Sequence, residues 1–188
     1  MALTASHMAS LGSMAPMFSL PDTQGKIVQL TDYQQPALLV IFMCNHCPFV
    51  VHIHDVLIRW ISTYQAQGLA VVAINANDAV KYPQDGPEAM KQMHDTHGYS
   101  FPYLFDATQE TARAYQAACT PDFFLYNQER KLVYRGQFDA SRPGSDIPVT
   151  GDHLAAACQA LLSLGHVPDT ISQLPSLGCN IKWKDDVG

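Results

Sequence analysis

Two continuous apolar runs dominate the first half of the chain. Residues 37–43 and 69–74 are almost wholly apolar and of strand length, which is typical of strands covered on both faces in a parallel sheet. Between them, over 49–67, apolar residues recur at helical spacing, with Pro48 suited to the first turn and Gly68 to the end. This part of the chain therefore predicts a strand–helix–strand unit.

Shorter patterns predict the remaining elements. Two apolar runs, Phe18–Leu20 and Ile27–Leu30, flank a Pro/Asp/Gly turn and predict an N-terminal hairpin. Further helices are predicted over 87–97, 108–118 and 152–164, and further strands over 101–105, 123–126 and 131–138, the last two as an antiparallel pair. This order predicts an α/β domain with a central mixed sheet, helices on both of its faces and loop insertions.

The length and composition favour one globular domain. A chain of 188 residues suits a single domain, with a core over about 14–165 and a tail, 166–188, that packs on it. The hydrophobic fraction of 47% with 15% charged residues argues against disorder, which needs the opposite balance. A formal net charge of −6 also argues against nucleic acid as a partner, because that binding depends on Lys and Arg.

The distribution of apolar residues also bears on the cellular compartment in which the protein is expected. The longest apolar run, 36–44, is far short of the roughly 20 residues that a membrane-spanning helix requires, so no membrane partner is expected. Residues 1–17 contain no Lys or Arg and no continuous apolar stretch, unlike a secretory signal. We therefore expect a cytoplasmic protein, and in that reducing compartment five cysteines are more often catalytic, metal-binding or buried than paired as a scaffold.

The candidate chemistry lies where the first apolar strand meets the long helix. Cys44 and Cys47 are separated by two residues at this junction. Unpaired amides and the dipole at a helix N-terminus favour an anion, and the thiolate is the nucleophile in disulfide exchange. We therefore predict a redox pair in which Cys44 attacks and Cys47 resolves the mixed disulfide from the first helical turn.

Histidines near the pair allow two further interpretations. His46 as an imidazolium would stabilise a Cys44 thiolate and make the disulfide more oxidising, and the alternative is an exposed loop residue. Cys44 and Cys47 could also join His52 and His54 as four zinc ligands. Because those two histidines are two residues apart on a helix, their side chains point in widely different directions. We therefore predict no metal and no organic cofactor.

Four stretches together give the chain a family resemblance that covers nearly its whole length. They are the opening Met14–Pro21, the cysteine motif Phe42–Pro48, the segment Cys119–Leu125 and the tail Pro175–Trp183. With these stretches the chain resembles the thioredoxin superfamily, and more narrowly the bacterial redoxin-like group that shares the alkyl hydroperoxide reductase/thiol-specific antioxidant domain. The resemblance implies a thioredoxin-like fold.

The resemblance also implies how a partner is held. It places a cis Thr120–Pro121 bond opposite Cys44 and Cys47, with a backbone that hydrogen-bonds an incoming peptide or thiol as an added strand. The partners would be protein or small-molecule thiols and disulfides. The alternative is an ordinary trans turn proline, which is the commoner state of such bonds.

Three departures from the family pattern bear on activity. Met43 replaces the usual aromatic residue before the first cysteine. The strand 37–43 lacks the buried carboxylate of thioredoxins, so another base or water must deprotonate Cys47. Ile41 stands where peroxiredoxins carry the threonine that orients peroxide, which makes efficient peroxidase activity less expected.

The other three cysteines have separate interpretations. Cys119 precedes the expected cis proline, and Cys179 lies on a tail that could reach back over the domain. They could form a second disulfide that pins the tail or receives oxidation from the first pair, or they could be two free thiols. Cys158 occupies a core position of the last helix and is interpreted as packing.

The function that these observations favour is a thiol–disulfide oxidoreductase cycling a Cys44–Cys47 dithiol and disulfide. One rival is a thiol peroxidase that reduces hydroperoxides at Cys44. The other is a module on the same fold that binds a metal or a partner through the cysteines.

Overall fold

The computed structural model describes residues 3–185. In chain order its strands are β1 (Leu3–Ala5), β2 (Ser19–Pro21), β3 (Ile27–Gln29), β4 (Ala37–Phe42), β5 (Leu69–Asn75), β6 (Tyr103–Phe105), β7 (Cys119–Thr120), β8 (Asp122–Asn127), β9 (Leu132–Gly136) and β10 (Leu177–Asn180). The helices are α1 (Pro48–Gln65), α2 (Pro87–His97), α3 (Glu110–Ala114) and α4 (Asp152–Leu164), with short 3₁₀ turns at Leu30–Asp32 and Pro83–Asp85.

The central sheet has five strands in the order β6-β5-β4-β8-β9. β4 pairs in parallel with β5, from Ala37 opposite Leu69 to Phe42 opposite Ile74, and antiparallel with β8. Every residue of β4 and β5 is buried. The two parallel strands are connected by α1, because a parallel pair needs a crossover that a hairpin cannot supply.

Two hydrophobic clusters cover the two faces of this sheet. Alternate residues of β4 divide between them: Leu39 and Ile41 pack with the buried faces of α1 and α4, whereas Leu38 and Val40 pack with the N-terminal hairpin and α3. Cys158 lies fully buried in the first cluster, as its helical position predicts. The predicted α/β class, with a mixed sheet covered on both faces, is confirmed.

Most predicted elements are present near the expected bounds. The hairpin is β2–β3, and the predicted helix over 87–97 is α2. The helix predicted over 108–118 is wrong in extent, because α3 covers only Glu110–Ala114. Gln116 has a positive φ of 55°, which ends the helix and turns the chain into β7. Among residues 3–185, no helix is long and apolar enough to cross a bilayer.

A second sheet, which the apolar pattern did not predict, ties the tail to the domain. It has the order β1-β10-β7, and both pairings are antiparallel. In the register of β10 with β7, Cys179 lies opposite Thr120 and Asn180 opposite Cys119. The approach is close at Gly178, where an added Cβ would lie 2.0 Å from the carbonyl oxygen of Thr120. Only a residue without a side chain fits there.

Candidate active site

The end of β4 and the start of α1 hold the two cysteines of the motif. The backbone N–H of Met43 donates to the carbonyl of Ile74 (3.0 Å), which extends the β4–β5 pairing by one residue. Cys47 is the N-cap of α1, and its carbonyl accepts the first helical hydrogen bond, from Val51 (2.9 Å). Both side chains are buried, with Cys44 2% and Cys47 0% exposed.

The segment between β7 and β8 faces the two sulfurs. The Thr120–Pro121 bond is cis, as the family resemblance implied. Sγ of Cys44 lies 3.4 Å from Oγ1 of Thr120, and Sγ of Cys47 lies 3.1 Å from the Thr120 carbonyl oxygen, which accepts a hydrogen bond from Cys47 only while Cys47 is a thiol. The structure thus brings together four of the site residues that the sequence nominated.

The pKa values of the two thiols are shifted in opposite directions. A hydrogen bond from the Cys44 thiol is the largest cause that lowers the pKa of Cys47, and the backbone N–H of Val50 at the helix N-terminus adds to it. The same hydrogen bond, followed by burial and the charge of Asp85, raises the pKa of Cys44. In the reduced protein the hydrogen bond from Cys44, with a smaller contribution from the helix N-terminus, therefore favours the thiolate on Cys47 over that on Cys44. The assignment of Cys44 as the attacking thiol stays a prediction.

His46 is held between a carboxylate and an aromatic ring. Its Nδ1 lies 2.5 Å from Oδ2 of Asp85, and its ring stacks on Tyr82 with centroids 5.6 Å apart. The imidazole is half-buried with fixed neighbours, so it is not an exposed loop residue. An imidazolium here would share its charge with Asp85 as well as with Cys44, and its proposed effect on Cys44 stays a prediction.

Asp85 is a functional candidate that the sequence did not reveal. It is fully buried in the 83–85 turn. Its Oδ1 accepts a hydrogen bond from the backbone N–H of Asn45, and its Oδ2 accepts one from Nδ2 of Asn77, each at 2.8 Å. The turn-rich insertion over 75–87 carries no apolar or motif signal, so only the fold shows that it delivers a carboxylate beside the cysteine motif.

A second buried carboxylate follows the cis proline. Asp122 is fully buried opposite Phe42, the last residue of β4, and its Oδ1 has no hydrogen-bond partner. Desolvation raises the pKa of Asp122 to about 8, against weaker hydrogen bonds from the backbone of Ala118 and Phe123. Residues 37–43 contain no acidic residue, as the sequence shows. The 83–85 turn and β8 instead place the carboxylates of Asp85 and Asp122 near the cysteine motif.

The tail brings a third sulfur to the pair. Sγ of Cys179 lies 2.9 Å from Sγ of Cys47. Because Cys179 is the cross-strand partner of Thr120, the two share a face of the small sheet, and the preceding Cys119 points to the opposite face. The structure therefore does not support the hypothesis of a Cys119–Cys179 pair: the sulfur that Cys179 approaches is that of Cys47.

The metal alternative takes a different form from the one the sequence suggested. Nε2 of His52 lies 3.1 Å from Oγ of Ser141, whereas Nε2 of His54 lies 2.8 Å from the hydroxyl of Tyr99, so the two histidines diverge as expected. The ligand atoms that do converge beside the motif, all within 4.8 Å of one another, belong to Cys44, His46 and Asp85.

Comparison with known proteins identifies the family. Residues 11–135 match the model of the AhpC/TSA family. The chain belongs to this family. The chain is 27% identical to the thiol-disulfide oxidoreductase ResA of Bacillus subtilis, over 66% of this chain and 65% of the length of ResA. It is also 29% identical, over 71% of this chain and 79% of the other, to a Mycobacterium tuberculosis protein provisionally named peroxiredoxin, Rv2521.

Solved structures give a closer match. An uncharacterised conserved protein of Geobacillus kaustophilus superposes with a TM-score of 0.95 at 49% identity, covering 100% of this chain and 99% of that one. The hypothetical protein SMc02350 of Sinorhizobium meliloti gives 0.93 at 50% identity, covering 97% and 99%. The thioredoxin domain of an oxidoreductase of Bacteroides vulgatus, at 18% identity, matches with a TM-score of 0.58 over 69% of this chain and 89% of that domain. This AhpC/TSA protein thus has the thioredoxin-like fold that the resemblance implied.

Proposed function

We propose that this AhpC/TSA protein is a thiol–disulfide oxidoreductase that cycles Cys44 and Cys47 between dithiol and disulfide. One observation carries the proposal. The two sulfurs of the motif lie at the junction of β4 and α1, within 3.4 Å and 3.1 Å of Thr120, the residue before the cis proline. The reaction needs neither a metal nor an organic cofactor, because the sulfurs themselves carry the electrons.

The exchange has two balanced steps. The Cys44 thiolate attacks a partner disulfide, forms a mixed disulfide with one partner sulfur and releases the other as a thiolate. The Cys47 thiolate then attacks Sγ of Cys44, forms the Cys44–Cys47 disulfide and releases the second partner thiolate. The pair loses two electrons, the partner gains them, and the thiol protons pass to the released thiolates. Run in reverse, the same steps oxidise a partner dithiol.

Two features of the site support these roles. Cys47 lies at the N-cap of α1, where Val50 stabilises the thiolate that the second step requires. Thr120 contacts both sulfurs, so it can position a sulfur that bridges from Cys44 to a partner. We take the partner class to be protein or small-molecule thiols and disulfides, with ResA as the supporting relative. We place the protein in the cytoplasm, where fractionation of cells that express it would test the location.

A redox titration tests the proposal directly. The purified protein is equilibrated in buffers of graded thiol/disulfide ratio, trapped with acid and alkylated, and its free thiols are counted by intact mass. We expect a two-electron transition that is lost in Cys47→Ser and retained in Cys158→Ser, whose sulfur on α4 is fully buried in the core. A wild-type protein that keeps all five thiols at every oxidising ratio would contradict the proposal.

A thiol peroxidase is the second candidate, because a peroxiredoxin-named relative matches over 71% of the chain. Ile41 at the position of the peroxide-orienting threonine opposes it. Consumption of hydrogen peroxide coupled to a dithiol reductant distinguishes the two functions, since rapid saturable turnover would favour the peroxidase. Metal content measured after purification under reducing conditions tests the third alternative, a site at Cys44, His46 and Asp85.

A further inference from the structure

The sheet edge expected to receive a partner is already occupied by the chain's own tail. β10 pairs antiparallel with β7, and Cys179 lies opposite Thr120, the residue whose backbone the family resemblance assigns to partner binding. The tail is thus bound as an added strand, which is how an extended peptide adds to a sheet edge. Its cysteine lies where a bound peptide would present one.

Three features hold the tail in this position. The other edge of β10 pairs with β1 over three residues, from Leu3 opposite Cys179 to Ala5 opposite Leu177. Gly178 permits the close approach to the Thr120 carbonyl. After β10, the backbone N–H of Lys182 donates a hydrogen bond to Oδ1 of Asn77 (2.8 Å), which holds the tail in place just beyond the C-terminal end of the strand. Cys179 is consequently 4% exposed and its sulfur lies 2.9 Å from that of Cys47.

We propose that Cys179 is a third redox thiol, which exchanges with the active-site disulfide to form a Cys47–Cys179 disulfide. This inference rests on the proposed function, since that reaction supplies the Cys44–Cys47 disulfide. In the step, the Cys179 thiolate attacks Sγ of Cys47, the Cys47–Cys179 bond forms and the Cys44–Cys47 bond breaks. Cys44 leaves as a thiolate and takes up the proton that Cys179 has lost. The total oxidation state is unchanged, so the exchange needs no further oxidant.

The exchange changes which thiol the oxidised protein presents. In the state with the Cys44–Cys47 disulfide, the thiol that remains reduced among the three is that of Cys179, which is buried on β10. In the state with the Cys47–Cys179 disulfide, the thiol that remains reduced is that of Cys44, the sulfur to which the proposed function assigns the attack on a partner. The oxidised enzyme would therefore regain its attacking sulfur while the tail is covalently tied to the start of α1. The tail acts as a built-in partner of the pair.

Disulfide mapping of oxidised protein tests this assignment. Trypsin leaves Cys44 and Cys47 on peptide 27–59, Cys119 on 114–130, and Cys158 and Cys179 on 136–182, because the Arg142–Pro143 bond resists cleavage. Wild-type protein is oxidised with one equivalent of a diamide oxidant, alkylated and digested. We expect both the internal loop of peptide 27–59 and a link from 27–59 to 136–182, with fragment ions placing that link at Cys179.

Variants separate this inference from the proposed function. Cys44→Ser leaves Cys47 as the single cysteine of peptide 27–59 and is expected to form the Cys47–Cys179 link quantitatively. The link should persist in Cys44→Ser/Cys119→Ser and disappear in Cys44→Ser/Cys179→Ala, with far-UV circular dichroism checking that each variant is folded. The Cys119 control is matched, because that residue lies next to Thr120 on the opposite face of the same small sheet.

The outcomes decide between the two claims. Wild-type protein that forms only the Cys44–Cys47 loop, or a link to Cys119 or Cys158 instead of Cys179, would overturn the third-thiol assignment and leave the proposed function intact. Wild-type protein that forms no Cys44–Cys47 loop, while Cys179→Ala also forms none, would overturn the proposed function itself. A Cys47–Cys179 link found in Cys44→Ser but absent from wild type would refute the exchange step.

Discussion

Replacing Asp122 by Asn measures what this buried carboxyl contributes to the pH dependence of stability. In the folded protein, burial raises its pKa to about 8, because the carboxylate would lose its hydration and Oδ1 has no hydrogen-bond partner. In the unfolded chain an Asp titrates near about 3.9. Between these two values the folded state keeps a proton that the unfolded state has lost.

The sign and size of the effect follow from proton linkage. Because the unfolded state binds fewer protons over this range, the free energy of unfolding falls as pH rises. One group with such a pKa difference contributes a slope of about 1.4 kcal/mol per pH unit, so moving from pH 5 to pH 7 costs about 3 kcal/mol. Asn does not titrate and has no such slope.

The measurement is a double difference. Urea unfolding of wild type and Asp122→Asn is followed at pH 5 and pH 7 with a phosphine reductant present, so that all thiols stay reduced. We expect wild type to lose about 3 kcal/mol more than the variant between the two pH values. Comparing the two pH values within each protein cancels the fixed cost of burying the amide.

The control is Asp146→Asn, at an exposed loop position, which should keep the wild-type pH profile. Parallel profiles for wild type and Asp122→Asn would refute the reasoning. They would mean that Asp122 is ionised in the folded protein at pH 7, stabilised by groups other than the backbone amides that contact it.

Three further changes test neighbouring parts of the structure. Gly178→Ala should lower the free energy of unfolding in urea by about 1–3 kcal/mol and weaken the cross-linking of Cys179, because the alanine Cβ would lie 2.0 Å from a backbone oxygen of β7. An unchanged free energy of unfolding and unchanged cross-linking would show that β10 can move away from β7 without cost. Asp139→Ala should cost about 1–3 kcal/mol at pH 7, because one carboxylate oxygen accepts two amides before α4 at 2.8 and 2.7 Å. Burial raises the pKa of Asp139, but the hydrogen bonds that its carboxylate accepts are stronger in sum and lower the pKa below its usual value. The stability that Asp139 contributes is therefore present above about pH 4 and is lost in acid. A difference in the free energy of unfolding between wild type and Asp139→Ala that persists unchanged at pH 2 would contradict this. Asp85→Asn is tested in a Cys47→Ser background, which removes the effect of the Cys47 thiol on Cys44. Loss of the Asp85 charge should lower the pKa of Cys44 and speed its alkylation by iodoacetamide several-fold at pH 7, and an unchanged rate would exclude a charge effect from Asp85.

The elements that the sequence predicted best are those with the strongest local signals. The apolar runs became β4 and β5, and the periodic stretch between them became α1, each within two residues of the predicted bounds. The predicted helix over 108–118 was too long, because its alanine content signals helix propensity but carries no stop signal at Gln116. Propensity is a weak prior that tertiary contacts override.

The candidate site also contains residues that the sequence predicted and residues that only the structure revealed. Cys44 and Cys47 could be assigned from their spacing and their place at a strand–helix junction, and Thr120–Pro121 from family resemblance. Asp85 could not, because its proximity to Cys44 depends on how the 75–87 insertion folds back, stabilised by side chains of Asn45 and Asn77. A Cys119–Cys179 disulfide was one of two alternatives that the sequence left open, and the contact of Cys179 with Cys47 was not predicted, since sequence order gives no register for a four-residue strand.

By itself the sequence determined most of the sheet-and-helix framework and the family, and it located the Cys-x-x-Cys motif on which the proposed redox function rests. These depend on local periodicity and on residue types at fixed short spacings, which the chain displays directly. Only the tertiary structure decided which groups surround the two sulfurs. Cys179 is 132 residues from Cys47 along the chain, and its contact with that sulfur follows from the register of β10 on β7. Such long-range registers depend on packing of the whole domain, where one residue of slip would turn the thiol to the other face.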